Sequence, residues 1–397
     1  MSSSPSQPLA GRRIWIAGIG GAGMSAYALL AQAWGAEVAG WDRVDTPYLA
    51  HLKGVDVTIS AEPPEPPAGW EAFVSTAFAG RVAARPRADL LAELVSLRRS
   101  IVVAGAHGKT TTSGMIAFCL DRLGLDPAFL IGGEIPQLGG NAAAGSGWLV
   151  VEGDESDRSV SALRPEIAIL LNVDLDHHAT FGSRAEVATL FDEWLMHVPQ
   201  VVRADELEPA ALELAIPGEH NRLNAAAALV ALELAGVPRA DAERVIVEFT
   251  GAGRRLEPKG TAAGVAVLDS YAHHPTELAA DLAAVRNGGR VLALFQPHLY
   301  SRTQYLAHDF AVALATADAV CVTDIYPARE EPVAGVSGRL IVDELAVVRP
   351  GMRIAWAPAL DDAVRLVASW AEAGDTVLTL GAGDVDGAAL HLLELLA

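Results

Sequence analysis

At 397 residues the chain exceeds what one hydrophobic core usually supports, since cores stop growing near ~250 to 300 residues, so two or three domains are expected. Hydrophobic residues make up 51% and charged ones 20%, a globular balance that excludes a disordered chain. With 29 basic against 49 acidic side chains the formal charge is −20, the wrong sign for gripping a nucleic-acid backbone, so no nucleic-acid partner is expected. An anionic ligand must then meet a local nest of N–H groups, a few cations or a metal.

Taken in order, the first segment, MSSSPSQPLAG, lacks a basic stretch followed by an apolar core, and no later segment approaches the ~20 apolar residues of a membrane span. A cytoplasmic protein with no membrane partner and a short disordered tail is expected. IWIAG then reads as a strand, GMSAYALLAQAW as a helix and EVAGWD as a strand. The proline-rich AEPPEPPAGW is a loop, followed by a strand at AFVST and a helix around ADLLAELVSL. A new strand opens at Ser100, WLVVEGD and IAILLNVD are buried-strand patterns, and HNRLNAAAALVALELAG is a long helix. FTGAGRRLEPKG reads as a linker near residue 256. Five further strands follow, GVAVLDS, RVLALFQ, DAVCVTD, MRIAWA and TVLTLGAGD, separated by helices. The alternation argues for an α/β chain of three domains: 1–99 Rossmann-like, 100–256 a P-loop-type central unit, and 257–397 a doubly wound unit of five or so strands. Cys119 and Cys321 fall in an apolar helix and an apolar strand and read as reduced core thiols.

Two stretches have the character of phosphate cradles. GIGGAG, Gly18 to Gly23, fits G-x-G-x-x-G between strand and helix, where glycine lets backbone approach a diphosphate and the helix N-terminus faces its charge. Asp42, ending the next strand, stands where a ribose-binding acid is expected. By itself this pattern encodes a diphosphate and a ribose, which NAD or any nucleotide diphosphate supplies. In GAHGKTTT, Lys109 and Thr110 stand where a P-loop places its phosphate lysine and its magnesium hydroxyl, although Val103 occupies the first glycine position of the regular pattern. Strand ends supply oxygen ligands nearby: Glu152, Asp154, Glu155 and Asp157 in VVEGDESD, and Asp174, Asp176, His177 and His178 in NVDLDHH.

These residues resemble the Mur ligases of peptidoglycan synthesis, most closely the members that add the first amino acid. The resemblance spans nearly the whole chain, through GIGGAGMS, GAHGKTTT, EGDESD, NVDLDHH, GEHNRLNAAAA, FTGAGRRLE, SYAHHPTE, FQPHLYSRT, DIYPAREEPVAGVSG and LGAGDV. It implies ATP-dependent joining of L-alanine to the carboxylate of UDP-N-acetylmuramate through an acyl phosphate, in a monomer or homodimer, with two Mg²⁺ ions. Gly18, Gly20, Gly21, Ala22, Gly23, Met24, Ser25 and Asp42, with Ser75 and Thr76, would hold the UDP-sugar. Gly105, Ala106, His107, Gly108, Lys109, Thr110 and Thr111 would cradle ATP. His220, Asn221 and Asn224 would lie along adenine, and Arg254 and Arg255 would approach the nucleotide. Thr110, Glu152 and His177 would ligate metal. His273, His274 and Arg302 would meet the muramoyl carboxylate, the transferred phosphate or alanine, with Lys109, His177, His273 and Arg302 in catalytic roles. Several sibling ligases resemble one another in using a carbamylated lysine in the central domain. This chain has lysine only at positions 53, 109 and 259, which fits the alanine-adding members.

The chain departs from the family pattern at four places. Ser270 and Ala272 replace an acid and a glycine, Leu299 replaces the first arginine of FQPHRYSRT, DHHATF replaces DHMDTY, and the stretch between FDEWL and GEHN is short. The alternatives are a recycling ligase that adds a tripeptide, an NAD-dependent dehydrogenase, and a nucleotide-binding relative that has lost catalysis.

Overall fold

The computed structural model describes residues 7–176, 180–286, 288–328 and 330–397. The described chain gathers into two compact units: residues up to 174 with 183–215 and 222–250 form the first, and 216–221 with 251–397 and the segment around Asp176 form the second.

The first unit holds two sheets. Apolar β1 (Arg13–Ala17) leads through α1 (Ala22–Ala33) to β2 (Glu37–Asp42), β3 (Asp56–Ile59), β4 (Glu71–Val74), β5 (Arg85–Pro86) and α2 (Arg87–Ser96). The strands are parallel in the order β3-β2-β1-β4-β5, with Ala17 level with both Trp41 and Val74. Whatever follows each of these three strands therefore emerges at one edge: the glycine turn, Asp42 and Ser75. β3 and β5, too short and polar to show in the pattern, complete the edges.

The second sheet is built from β6 (Ser100–Ala104), α3 (Lys109–Arg122), β7 (Ala128–Ile135), β8 (Gly140–Ala144), β9 (Leu149–Gly153), β10 (Ile167–Leu170), α4 (Arg184–Leu195) and β11 (Gln200–Arg203), followed by α5 (Glu219–Leu234) and α6 (Arg239–Ile246). Its order is β11-β10-β6-β9-β7-β8, parallel except for the final hairpin strand. β6 lies at the switch point, where the flanking strands run off in opposite directions and the crevice for a ligand opens. Ala104 is level with Gly153 and with Leu170, so the lysine turn and both acidic strand ends meet at one edge. The β7–β8 hairpin packs on α1, joining this sheet to the first.

The second unit carries β12 (Glu257–Ala262), β13 (Val265–Ser270), α7 (Pro275–Ala284), β14 (Val291–Phe295), α8 (Tyr300–Leu314), β15 (Ala319–Val322), α9 (Arg339–Val348), β16 (Arg353–Trp356), α10 (Leu360–Trp370), β17 (Thr376–Leu380) and α11 (Asp386–Leu396). The order is β12-β13-β17-β14-β15-β16. Leu278, Phe310 and Ile341 of α7–α9 pack on one face, Val364, Val367 and Leu392 of α10 and α11 on the other. Both faces are thus covered, as a parallel sheet requires. The expectation of five or so strands is corrected to six among the described residues. Glu257–Gly260, read above as linker, begins β12, antiparallel to β13 with a register shift between Pro258 and Gly260. Proline and glycine are tolerated there because β12 is an edge strand with a bulge.

Phe249 is fully buried against Phe118, ring centroids 5.7 Å apart. Phe249→Ala leaves a cavity in the first unit and should cost about 3–5 kcal/mol, seen as a urea transition displaced to lower concentration.

Candidate active site

The second cradle is the more fully formed. Gly105 at φ +132° and Gly108 at φ +86° make the turn, and a Cβ at Gly105 would press on the Asn172 backbone at 3.0 Å. Asn172 grips the loop from β10's side: its Oδ1 accepts from the His107 N–H at 2.9 Å and its Nδ2 donates to the His107 carbonyl at 2.9 Å. Asn224 of α5 lies against Gly108, while Asn221 donates to the Pro217 carbonyl and groups with the second unit. The Lys109 ammonium donates to the Gly105 carbonyl at 2.5 Å and to both Glu155 oxygens, the nearer at 2.9 Å. Burial opposes its charge, but Glu155, then Asp154 and Glu152, outweigh that and raise its pKa. Lys109 is therefore a fixed cation.

Glu152 accepts from the Gly132 N–H at 2.6 Å, and Thr110 begins α3 beside Gly133. Thr110 and Glu152 thus lie against neighbouring residues of β7, Gly133 and Gly132, and both offer oxygen, the donor that suits Mg²⁺. His177, expected among the ligands, lies outside the described residues.

In the first cradle Gly18 has φ +83°, and a Cβ there would meet Ser75 Oγ at 2.3 Å, so only glycine fits. Asp42, expected on a ribose, accepts at Oδ2 from the Gly20 N–H at 2.7 Å and at Oδ1 from the Arg43 N–H, and Thr46 donates to the Gly20 carbonyl at 2.6 Å. Its carboxylate shapes the turn. Ala22, Gly23, Met24 and Ser25 form the first turn of α1, which points its N–H groups at this edge. Between α1 and the hairpin a cavity of about 50 Å³ is lined by Ser25, Tyr48, His51, Glu134 and Asn141.

In the second unit, Ser270 and Phe295 are each level with Leu380, and Phe295 with Val322, so the histidine-bearing turns share an edge. His273 Nδ1 lies 2.8 Å from the Tyr271 carbonyl, which can only accept, so Nδ1 carries the proton and Nε2 the lone pair. Burial lowers the His273 pKa, with Arg302 adding to the effect against Glu277, and the ring is neutral near pH 7. His274 accepts from the Thr276 N–H and caps α7. Arg302 is buried against Asp176, Nε to Oδ1 at 2.7 Å, with His298 Nδ1 at 3.1 Å from its Nη1. Arg254 pairs with fully buried Asp269 at 2.9 Å and donates to the Gly381 carbonyl at 2.8 Å, whereas Arg255 pairs with Glu277 at 3.2 Å. Burial, then Arg255, lowers the pKa of His220.

Sequence reasoning located the acids of EGDESD and NVDLD but not their partners. Glu155 on Lys109, Asn172 on the His107 backbone and Asp176 on Arg302 are tertiary pairings that no local spacing encodes.

Two stretches match known family descriptions: residues 103–208 the Mur ligase middle domain, and residues 254–383 the Mur ligase glutamate ligase domain. The fold and these domains define an ATP-dependent, ADP-forming amide ligase. The chain belongs to the Mur ligase family. It is 39% identical to the UDP-N-acetylmuramate--L-alanine ligase of Streptomyces coelicolor, over 98% of this chain and 99% of that protein, and 38% identical to that of Streptomyces griseus, over 99% of each. The structure of UDP-N-acetylmuramate-alanine ligase from Thermotoga maritima superposes with a TM-score of 0.76 at 24% identity, over 96% of this chain and 98% of that one. The Streptomyces coelicolor alignment spans 459 positions, more than this chain's 397 residues, so it opens gaps in this chain. Among the described residues no helix is long and apolar enough to cross a membrane.

Asp281 lies buried behind the His273 turn and accepts a hydrogen bond from Ser270 Oγ. Burial pushes its pKa up to about 6, against the lowering pull of Ser270 and Arg255. The folded state then holds a proton that the unfolded chain releases near pH 4, so stability falls as pH rises from about 4 to 6 and stays lower above. Asp281→Asn should raise stability at pH 7 by on the order of 2–3 kcal/mol and flatten the dependence in that window, measured as Tm against pH.

Proposed function

We propose that the chain joins L-alanine to the carboxylate of UDP-N-acetylmuramate at the expense of ATP, with residues 1–99 binding the UDP-sugar, 100–256 binding ATP and 257–397 completing the ligase. The observation that carries this reading is a charged, immobilised Lys109 at the switch point of a parallel sheet, level with an acidic strand end. In the reaction a carboxylate oxygen of the sugar forms a bond to the γ-phosphorus and ADP leaves. The alanine nitrogen then bonds to the acyl carbon, phosphate departs, and the amine loses a proton.

Each anionic stage needs cationic support. Lys109 is kept protonated by Glu155 and Asp154 and would follow the charge that spreads over the phosphoryl oxygens. Magnesium, when bound, would neutralise phosphate charge, and Thr110, Glu152 and His177 would hold the two ions of this proposal. The N–H groups of Ala22, Gly23 and Met24, in the first turn of α1, would hold the diphosphate of the sugar. Arg302 would face a substrate carboxylate or phosphate, and His273, with its lone pair on Nε2, would accept the amine proton. Under this reading the protein works in the cytoplasm, as a monomer or homodimer, without a nucleic-acid or membrane partner.

The test is phosphate release in the presence of ATP, Mg²⁺ and UDP-N-acetylmuramate with alanine, glycine, serine or a tripeptide as acceptor. Alanine-dependent release is expected; release with the tripeptide alone would assign the recycling reaction instead, and none with any acceptor would mean catalysis has been lost. Lys109→Ala should reduce turnover by about 10²-fold or more while UDP-sugar binding, followed by calorimetry, changes little, because the two cradles belong to different sheets.

A further inference from the structure

Arg87 opens α2 at the end of the first sheet, and its side chain is largely buried. Its Nη2 donates to Asp154 Oδ2 at 2.6 Å and to Asp157 Oδ2 at 2.7 Å, and its Nε donates to Asp157 Oδ2 at 2.9 Å. The two acids occupy the ends of the turn that follows β9. Asp154 also accepts from the Ser156 N–H at 2.9 Å and Asp157 from the Ser159 N–H at 3.0 Å, so each carboxylate ties the turn to itself and to Arg87. Between them sits Glu155, whose carboxylate holds Lys109. On its other side Arg87 meets Tyr27 of α1, the helix that opens the first cradle; burial pushes this phenol up to about 12 against the pull of Arg87.

The charge count makes the arrangement purposeful. Glu152, Asp154, Glu155 and Asp157 bring four negative charges to a site meant for an anion, and Lys109 offsets one. Arg87 offsets a second. Without Arg87 the turn would lose its clamp and present an extra negative charge to an incoming triphosphate.

We propose that Arg87 is a positioning residue of the ATP site, fixing and neutralising the Asp154–Asp157 turn so that Glu155 holds Lys109 where a polyphosphate can reach it. The inference rests on the assignment of the Lys109 loop to ATP. A lysine is a poor replacement, because the guanidinium sets both Nε and Nη2 on Asp157 while Nη2 also reaches Asp154, and an ammonium has no second nitrogen in that rigid plane.

The experiment measures affinity for a non-hydrolysable ATP analogue with Mg²⁺, and separately for the UDP-sugar, in wild type, Arg87→Lys, Arg87→Met, Asp157→Asn and the double variant Arg87→Met/Asp157→Asn. Thermal melts accompany each. Arg87→Met should weaken analogue binding roughly tenfold or more, Arg87→Lys should recover little, and UDP-sugar affinity should stay within about threefold. The double variant removes the stranded charge and should bind the analogue better than Arg87→Met alone. Equal loss of both ligands, or a double variant worse than either single one, would reduce Arg87 to a structural staple and overturn the proposal. Unchanged analogue binding in every variant that melts like wild type would overturn it as well. Failure of the wild type to bind the analogue would instead strike at the ATP assignment itself.

Discussion

An anion approaching a chain of formal charge −20 is repelled over most of its surface, so ligand binding depends on the few points where positive charge is concentrated and held. At Lys109 it is held by paradox: carboxylates secure the cation. Glu155 and the Gly105 carbonyl fix the ammonium, Asp154 adds to its field, and Arg87 offsets the acids from behind. Removing water from such a group penalises its charge, and the pairing reverses that penalty. Other arginines also have carboxylate partners, as Arg12 with Glu71 and Glu93, or Arg254 with Asp269. The glycine turn of the first cradle carries no lysine, and Gly18 and Gly20 leave room there for Ser75 and Asp42.

Parallel strands in register turn this local chemistry into a site. Because Ala104, Gly153 and Leu170 are level, the residues that follow them converge without any need for long-range design in the loops. The same holds for Ala17, Trp41 and Val74 in the first sheet and for Ser270, Leu380 and Phe295 in the third. Motifs at strand ends therefore carry functional information: a residue just after a buried strand has its position set by the sheet.

What the sequence hid follows from the same physics. The β7–β8 hairpin does not show because Gly132 and Gly133 interrupt its apolar run and GNAAA has little strand character; a Cβ at Gly132 would crowd the Glu152 carboxylate at 3.1 Å. β12 was masked by Pro258 and Gly260, which signal a turn except on a bulged edge. Asp176 and Arg302 are 126 positions apart, a separation no periodicity spans. Periodicity reports burial within one element, whereas ion pairs report the meeting of two.

Leu299 shows how a departure from the family pattern can alter charge while sparing geometry. It holds φ at +74°, an uncommon value for a residue with a Cβ, at the entry to α8. That conformation is secured by main-chain bonds: its N–H donates to the Tyr326 carbonyl at 3.0 Å, and its carbonyl accepts from the Thr303 N–H at 3.1 Å and Oγ1 at 2.9 Å. Around the turn, His298 stacks on Tyr326 with centroids 5.9 Å apart, and Arg302 is fixed by Asp176. The side chain at 299 contributes to none of these contacts. Exchange of an arginine for leucine there removes a positive charge from the turn, and the backbone that aims His298 and Arg302 remains held from both sides.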